Sequence, residues 1–565
     1  MRMRARPYLH CAPVPGGVYF SGARTQFVLK GWDHLFKVAD VCVPLLEQGT
    51  TEDELVAALG TERARPVVRH LTNGLHVHGM LLNEDVLRGD GPSNEDRERY
   101  AGSLAYLESV CAHPYAAFAR IRAARVVLFG PAEAVRPAAR GLDRAGVGQV
   151  LVPDIADLGA CGEADVVLWC GTDEETQATG LRLHGAGRIP EGVPVVPVLL
   201  DDRVLQAGPV VRDADRYPIL SAFRRRALGW AQGQGLEPAA RPVADAMIGA
   251  IAGQLVLDVL AGIDEGGAVH VVHGAELIAE RVLLGTADMA DERLSTLEGV
   301  SAESVPDADD AIERVNALTV RWKGLFTPAR AEQTLPQMPL AIREMELRAG
   351  TAGRITVWAP DQRSATVGAA LEVLRCSGPT VEGGTGAAGL TEECWLLDGV
   401  LRLLADEAEA VHTAASESEE TARIRRILQD WQPGSLTTHL SQVPGLDWRL
   451  ARVVLADNGQ VLGAAWAPDA DTAVREALST ALARSQVNAS RDGGGDVPLL
   501  RTDSVNFADA EQIRALREQV GRLTAARGVS YEGRPLRTDP ALGEIPFWSG
   551  PVKARQLTQE PQHAG

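Results

Sequence analysis

Short apolar runs cut by turn residues open the chain. "YLHCAPV" (Tyr8–Val14), "GVYFSGA" (Gly17–Ala23) and "TQFVLKG" (Thr25–Gly31) are β-prone and are separated by Pro-Gly-Gly and Gly-Ala-Arg turns, so the pattern predicts three strands. Three helical patterns follow. "WDHLFKVADVCVPLLEQG" closes on Gly49, and "TTEDELVAALG" begins with threonines and acids and stops at Gly60. "ARPVVRHLTNG" has proline near its start and ends on Gly74. Acids and proline suit a helix start, and glycine suits its end. Three strands with three helices predict a winged-helix module over residues 1–90, followed by the polar linker "LRGDGPSNEDRER" (Leu87–Arg99).

The third helix has two faces. Val67, Val68, Leu71 and Leu75 form an apolar stripe, while Pro66, Arg69, His70 and Asn73 fall on another side. Arg63 and Arg65 make that end of the module locally basic. The third strand is expected to offer an open edge, Gln26, Phe27, Val28 and Leu29, to an extended peptide. Arg65, Arg69, His70 and Asn73 would face that peptide from the helix. Strand addition takes affinity from backbone bonds and specificity from side-chain pockets. A solvated basic face and a DNA-reading winged helix are the alternatives on residue pattern alone.

Beyond the linker, the rhythm becomes α/β. "RVVLFGPAEAVRPAARGLDRAGVGQVLVPD" (Arg125–Asp154) reads as strand, turn, helix, strand, ending in an acid where a nucleotide ribose would be held. Its turn keeps only Gly130, with Ala132 and Val135 at the other two glycine positions. Pro131 removes an amide, and Glu133 adds negative charge where phosphate would lie. The expectation is an inherited scaffold. "EADVVLWCG" and "GVPVVPVLLDD" are continuous apolar runs suited to strands covered on both faces, and "AVHVVHGAELIAERVLL" reads as an edge hairpin. These place an α/β domain at 100–290. The acidic stretch "DMADERLSTLEGVSAESVPDADDAIER" marks a second boundary. An α+β domain at 311–565 follows, in which "ITVWAPDQRSATVGAALEVLRC" and "ARVVLADNGQVLGAAWAPDADTAVREALSTALARSQ" hint at a duplication.

Composition narrows the classes. Hydrophobic content of 45% and charge of 23% over 565 residues are those of a globular, multidomain chain. Seven cysteines form no C-x-x-C pair, which points to reduced thiols and a cytoplasmic setting. The basic start lacks an apolar segment behind it, so no signal peptide is expected. A net charge of −19 argues against nonspecific nucleic-acid binding. Residues 1–90 hold ten Lys+Arg against ten Asp+Glu, so the excess acid lies beyond them. "VADAMIGAIAGQLVLDVLAG" (Val243–Gly262) carries charges near both ends, as a buried helix does, and no membrane span is expected. "GTGAAG" (Gly384–Gly389) follows no predicted strand and reads as a flexible loop. "HVH" (His76–His78) and "HVVH" (His270–His273) lack a third metal ligand at a suitable spacing. No metal or cofactor is expected.

The serial order of these segments resembles the ocin-ThiF-like leader-peptide-binding partner proteins of azole-forming (TOMM and thiopeptide) cyclodehydratases. Residues 8–86 resemble the recognition element for ribosomally made, modified peptides (RiPPs). Arg125–Asp154, especially "LDRAGVGQVLVPD", resembles the first βαβ unit of ThiF-like activating enzymes, and "ADVVLWCG", "VPVVPVLLDDRVLQAGPVV" and "RPVADAMIGAIAGQLVLDVLAG" follow in the family's order. "LTVRWKGLF" and "LPQMPL" resemble the partner proteins' C-terminal portion. The implied fold is a winged helix, a degenerate ThiF-like Rossmann domain and a YcaO-like remnant. The family's zinc cysteine pairs are absent, and "DIADLGACGEAD" supplies no catalytic arginine. Of the acids that hold magnesium and ATP in YcaO enzymes, Glu372 is kept, whereas Arg375 and Thr480 stand near two others. The resemblance implies a noncatalytic subunit that binds a precursor's leader and presents the core to a separate YcaO cyclodehydratase, where ATP and magnesium act. A homodimer stays open. Two alternatives are an adenylating enzyme that retains nucleotide binding and a winged-helix transcriptional regulator.

Overall fold

The computed structural model describes residues 2–556 outside positions 33, 88–90, 155–156, 173, 214–215, 264–265, 286–292, 301–305, 330–331, 333–334, 349–352, 380, 412–416, 433 and 490–495. The chain is a mixed α/β protein of two units. Met1–Tyr217 and Glu237–Leu283 form the first, and Pro218–Leu236 and Leu284–Gly565 the second.

The first unit begins with β1 (Met3–Ala5), β2 (His10–Val14), β3 (Gly17–Ser21) and β4 (Gln26–Lys30). Helices α1 (Leu35–Gln48), α2 (Glu52–Ala58) and α3 (Arg65–Val77) follow, then β5 (Leu81–Asn83). β2, β3 and β4 form an antiparallel sheet with β4 at its edge. β1 and β5 pair as a separate ribbon that the sequence pattern does not reveal, since three residues are too few to show alternation. The stripe residues Val68, Leu71 and Leu75 join Val18, Phe20, Leu29 and Leu35 in one core. Thr51 and Glu54 complete a capping box on α2. α3 runs past its expected stop at Gly74. A Cβ at Gly74 would come within 2.8 Å of the Leu29 side chain, so this glycine serves a close helix–strand approach and not an exit.

Next come α4 (Glu84–Leu87), α5 (Asn94–Arg99), α6 (Ala101–Val110) and α7 (Pro114–Ala123). The expected linker is therefore partly helical, with Ser93 capping α5; its residues 88–90 lie outside the described set. The main sheet holds β6 (Arg125–Phe129), β7 (Gln149–Leu151), β8 (Val166–Gly171) and β9 (Val195–Leu200), all parallel. Antiparallel β10 (Val204–Ala207), β11 (Ala268–His273) and β12 (Ile278–Leu283) extend it, giving the order β12-β11-β10-β9-β8-β6-β7. β8 and β9 are buried at every position, and β11–β12 is the expected edge hairpin. After β6 runs α8 (Ala132–Ala145), and α9 (Glu174–Gly185) follows β8. α10 (Tyr217–Gly233) leaves the unit and α11 (Val243–Ala261) returns to it. Gly249 and Gly253 let α11 lie against the Ala134 and Ala138 backbone of α8. Among the described residues α11 is the one helix long and apolar enough to cross a membrane; here Ile248, Ala252 and Val256 enter the sheet's core.

Residues 218–236, expected in the 100–290 domain, group instead with the second unit. Of the acidic boundary stretch, 288–292 and 301–305 lie outside the described residues. The second unit contains several sheets. β13 (Ser295–Thr296) precedes α12 (Ala308–Leu318), and β14 (Phe326–Pro328), β15 (Ala341–Leu347) and β16 (Arg354–Ala359) form one sheet. α13 (Gln362–Ser377), β17 (Gly384–Gly389) and α14 (Glu392–Leu404) come next. β18 (Glu409–Ala410), α15 (Glu419–Trp431), β19 (Leu436–Gln442), β20 (Arg449–Leu455), β21 (Val461–Ala467), α16 (Ala470–Asn488) and β22 (Leu500–Arg501) carry a five-stranded sheet. The chain closes with α17 (Ser504–Phe507), α18 (Ala510–Arg527), β23 (Val529–Gly533), the β24–β25 hairpin (Thr538–Asp539, Gly543–Glu544) and β26 (Trp548–Gln556). The hinted duplication has a local basis. Trp-Ala-Pro-Asp ends both β16 and β21, and Asp361 and Asp469 cap the helices that follow.

"GTGAAG" is β17, paired with β26, which corrects the loop reading. A Cβ at Gly386 would strike the Arg375 carbonyl at 2.2 Å, and one at Gly389 would strike Trp395 N at 2.2 Å. These glycines let a strand press against two helices.

Arg226 of α10 anchors its helix within the second unit. Its Nη1 donates to Asp539 Oδ1 at 2.6 Å and to the Lys323 carbonyl at 3.0 Å, and Nη2 reaches Asp539 Oδ2. Burial works against the Asp539 carboxylate, but the bonds from Arg226 and from the Leu542 and Ala541 amides outweigh it and hold its pKa below the usual value. A depressed folded pKa adds stability above the unfolded pKa that is lost as pH falls through the folded value. Asp539→Asn should therefore lower the urea midpoint at pH 7, by about 3–5 kcal/mol equivalent, and flatten its decline between about pH 5 and pH 3. An unchanged pH profile would show that the pair contributes little.

Candidate functional site

The edge strand β4 has a defined outward face. Gly31 N donates to Gly16 O and Gly22 N to Thr25 O, both at 2.9 Å, in register with the β3–β4 ladder. Antiparallel pairing alternates, so Phe27 and Leu29 turn their amides to β3 while Gln26 and Val28 turn theirs to the open side. Leu29 is buried, Phe27 half-buried, and Val28 48% exposed. Tyr19 donates to Gln26 Oε1 at 2.6 Å.

α3 flanks β4 along its length and runs against it. His70 Nε2 lies 3.0 Å from the Lys30 carbonyl, so this nitrogen carries the proton. Gly74 sits against Leu29 and Phe27. At the other end the His78 ring stacks on Phe27, centroids 3.9 Å apart, and Thr25 Oγ1 donates to the His78 carbonyl at 3.0 Å. The structure thus brings Gln26, Phe27, Val28, Leu29 and His70 together, with Asn73 exposed on the same helix. Sequence reasoning missed Thr25, Gly74 and His78. Gly74 read as a stop signal, and nothing local marks a histidine that stacks across the module.

The basic end needs correction. Arg65 meets Asp53 at 2.7 Å, Glu62 at 3.0 Å and Glu52 at 3.1 Å, and Arg69 meets Glu52 at 2.9 Å. The acids that favour the start of α2 also neutralise the start of α3. Of the two arginines, Arg69 is the more available, its side chain 60% exposed against 28% for Arg65.

Two further places bear on nucleotide or metal binding. At the first, Gly130 has φ +135°, and a Cβ there would lie 2.4 Å from that of Cys170, so packing between β6 and β8 alone demands glycine. Pro131 caps the start of α8 and offers no amide of its own, while its carbonyl takes the ordinary first-turn bonds from Ala134 and Val135. Glu133 is exposed in the first turn. This turn does not fit a polyphosphate.

At the second place Arg375 lies at the centre of a buried cluster. Nη1 is 2.9 Å from Glu372, Nε 2.9 Å from Asp398, and Nη2 2.8 Å from Asp503. Asp398 also accepts from Ala388 N at 2.9 Å and from Thr502. Arg501 stacks 4.0 Å over Trp358 and reaches Glu476 at 2.9 Å. Trp358 Nε1 donates to Thr480 Oγ1 at 3.2 Å. Burial opposes the Arg375 charge, but Asp398, Asp503 and Glu372 prevail and hold its pKa above the ordinary guanidinium value. A cavity beside it measures about 20 Å³. Every carboxylate here is engaged by an arginine, so the donor set does not fit a magnesium–nucleotide group. Among the described residues no group of three or more His, Cys, Asp or Glu could hold a metal ion. His273 bonds Glu280 at 2.9 Å, and His76 is exposed.

No family model and no curated protein matches the chain. Among solved structures it resembles a heterocyclase in complex with substrate and cofactor, with a TM-score of 0.54, 12% identity, and coverage of 98% of this chain and 94% of that one. At that identity the likeness is one of fold. The heterocyclase TruD (TM-score 0.47, 13% identity, 98% and 95% covered) and E. coli MccB with AMPCPP and MccA (0.39, 11%, 50% and 97%) also align.

Arg375→Met should destabilise the second unit by about 3–5 kcal/mol, because three buried carboxylates lose their common partner. Chemical denaturation of the full chain measures this; a loss under about 1 kcal/mol would mean that water replaces the guanidinium.

Proposed function

We propose that this chain works in the maturation of ribosomally made peptides, as the subunit that captures a precursor's leader on β4 and presents its core to a separate YcaO cyclodehydratase. That partner uses ATP and magnesium to turn Cys, Ser or Thr side chains into azolines. In this reading residues 1–90 are a winged-helix RiPP recognition element, the parallel sheet is a degenerate ThiF-like domain, and the second unit is a YcaO-like remnant. The observation that carries it is the open β4 edge flanked by α3. The heterocyclase fold over 98% of the chain supports the setting, and the closed Gly130 turn and Arg375 cluster favour a presenting role over a catalytic one. Tethering the leader raises the core's effective concentration at the partner's active site.

The leader's acidic anchors would meet Arg69 and His70, while its backbone pairs with Gln26 and Val28. A charge-assisted hydrogen bond in a partly closed groove contributes about 1.5–3 kcal/mol, and about 1.4 kcal/mol is one decade of affinity. Arg69→Glu should therefore weaken binding of a synthetic leader at least about tenfold in fluorescence anisotropy. Val28→Pro, with circular dichroism to confirm folding, should also weaken it by removing an outward amide. Unchanged affinity in both folded variants would place the leader elsewhere.

Calorimetry of the chain alone with ATP and magnesium should show no saturable binding at millimolar nucleotide. A micromolar dissociation constant would revive the adenylating reading.

A further inference from the structure

Helix α11 is apolar on both sides, but only one side is covered. Ile248, Ala252 and Val256 enter the sheet's core. On the outer side Val243 is 60% exposed, Ala250 is open to solvent, and Met247 and Ile251 are half-buried. Half of the helix's most apolar stretch is buried. A helix that is hydrophobic all round belongs in an enclosed setting, so the outer side of α11 calls for a cover that the described residues do not supply. α11 cannot cross a bilayer while its inner side stays in the core, and a net charge of −19 opposes an anionic membrane surface. The cover is then another protein.

A groove of about 440 Å³ runs along that outer side, between α6, α8 and α11. Pro137, Gly141 and Ala145 of α8, each one turn from the next, form one wall, and Ala250, Gln254 and Leu257 of α11 form another. Gly102 of α6 and Gly141 also line it, and a Cβ at either would meet nothing within 4 Å. Gly253 of α11 differs, since a Cβ there would press on the Ala138 backbone at 3.2 Å. Glycine inside a helix is less stable than alanine, and packing among the described residues does not require it at 102 or 141. Walls reduced to backbone let another helix lie close.

Charge narrows the occupant. Arg99 and Arg144 stand in the lining, which contains no carboxylate. Arg99 lies 5.3 Å over the Tyr100 ring, and neither arginine enters an ion pair among the described residues. Asp258, which accepts from Tyr106 and Gln254, is not one of the lining residues. A second copy docked through the same face would set these arginines against their like, with no lining acid to meet them, so a closed twofold pairing is unfavourable here. We infer that the groove between α6, α8 and α11 is the docking site for the cyclodehydratase that receives the core, and that it takes a helix of that partner whose apolar face is flanked by Asp or Glu. This rests on the presenting role proposed above, and adds where the second protein is held.

The test uses the full chain and the purified YcaO cyclodehydratase encoded beside its gene, with affinity read by biolayer interferometry and folding by thermal melting. Gly141→Gln fills the groove from open space and suits a helix better than glycine does, so its melting temperature should hold or rise. It should weaken the cyclodehydratase at least about tenfold, as should Arg99→Glu/Arg144→Glu. Binding of the synthetic leader should change less than about twofold in both variants. Unchanged cyclodehydratase affinity in both would overturn the docking site and leave the leader groove on β4 standing. So would a wild type that binds the leader but not the cyclodehydratase, whereas a wild type that binds neither would overturn the leader-binding reading and this proposal with it. Weakening in Gly141→Gln alone would overturn the acidic flank. A wild-type dimer in light scattering that Gly141→Gln converts to monomer would give the face to a second copy. Co-sedimentation with phosphatidylglycerol vesicles that Gly141→Gln abolishes would give it to a membrane. Either result would overturn the assignment.

Discussion

A buried charge must be paired, and in the second unit one guanidinium settles how that requirement is met. Arg375 on α13 draws Glu372 from its own helix, Asp398 from α14 and Asp503 from the turn before α17. Asp398 in turn holds β17 through the Ala388 amide. Removing two charges from water costs several kcal/mol per ion, and close, fully bonded geometry is needed to offset it. The arrangement therefore fixes the mutual positions of two helices, a strand and a turn. It also takes up the carboxylates that could otherwise have faced a ligand, so the charge that organises the unit is the same charge that closes it.

The glycines carry a parallel lesson. Gly130, Gly386 and Gly389 stand in sequences that read as remnants or loops of phosphate-binding type, yet each has a packing reason. Gly130 clears Cys170, Gly386 clears the Arg375 carbonyl, and Gly389 clears the backbone at Trp395. Glycine lets a backbone approach a phosphate, a helix or a neighbouring strand with equal ease. Only the identity of the neighbour separates the cases, and the neighbour is far away in sequence.

That difference explains what was legible. Long periodic segments were readable: the three strands and three helices of the first module, the buried β8 and β9, and the β11–β12 hairpin all follow from local pattern. The edge position of β4 was readable too, because a strand that enters a helix has no further hairpin partner. The ion pairs of Arg65 and Arg69 with Glu52 and Asp53 were not, since those acids come from α2, which the fold sets beside α3. The Arg375 cluster was half visible. A lysine or arginine where an acid is expected signals a change, but Asp398 and Asp503 lie 23 and more than 100 residues away. The strand nature of "GTGAAG" was hidden because its pairing partner, β26, is the last element described.

Edge strands are hazards unless something limits them, because unpaired backbone groups recruit other chains. β4 is limited in two ways that suit selective pairing. It is short, five residues, and one outward carbonyl at its end, that of Lys30, is occupied by His70. What stays open is a brief ladder around Gln26 and Val28, too short by itself to hold a peptide firmly. Selectivity for any added strand would then depend on side chains at the two ends of β4, where His70 stands at the Lys30 end and His78 against Phe27. A short ladder with side-chain contacts at both ends can reject a generic extended chain and still accept one particular sequence.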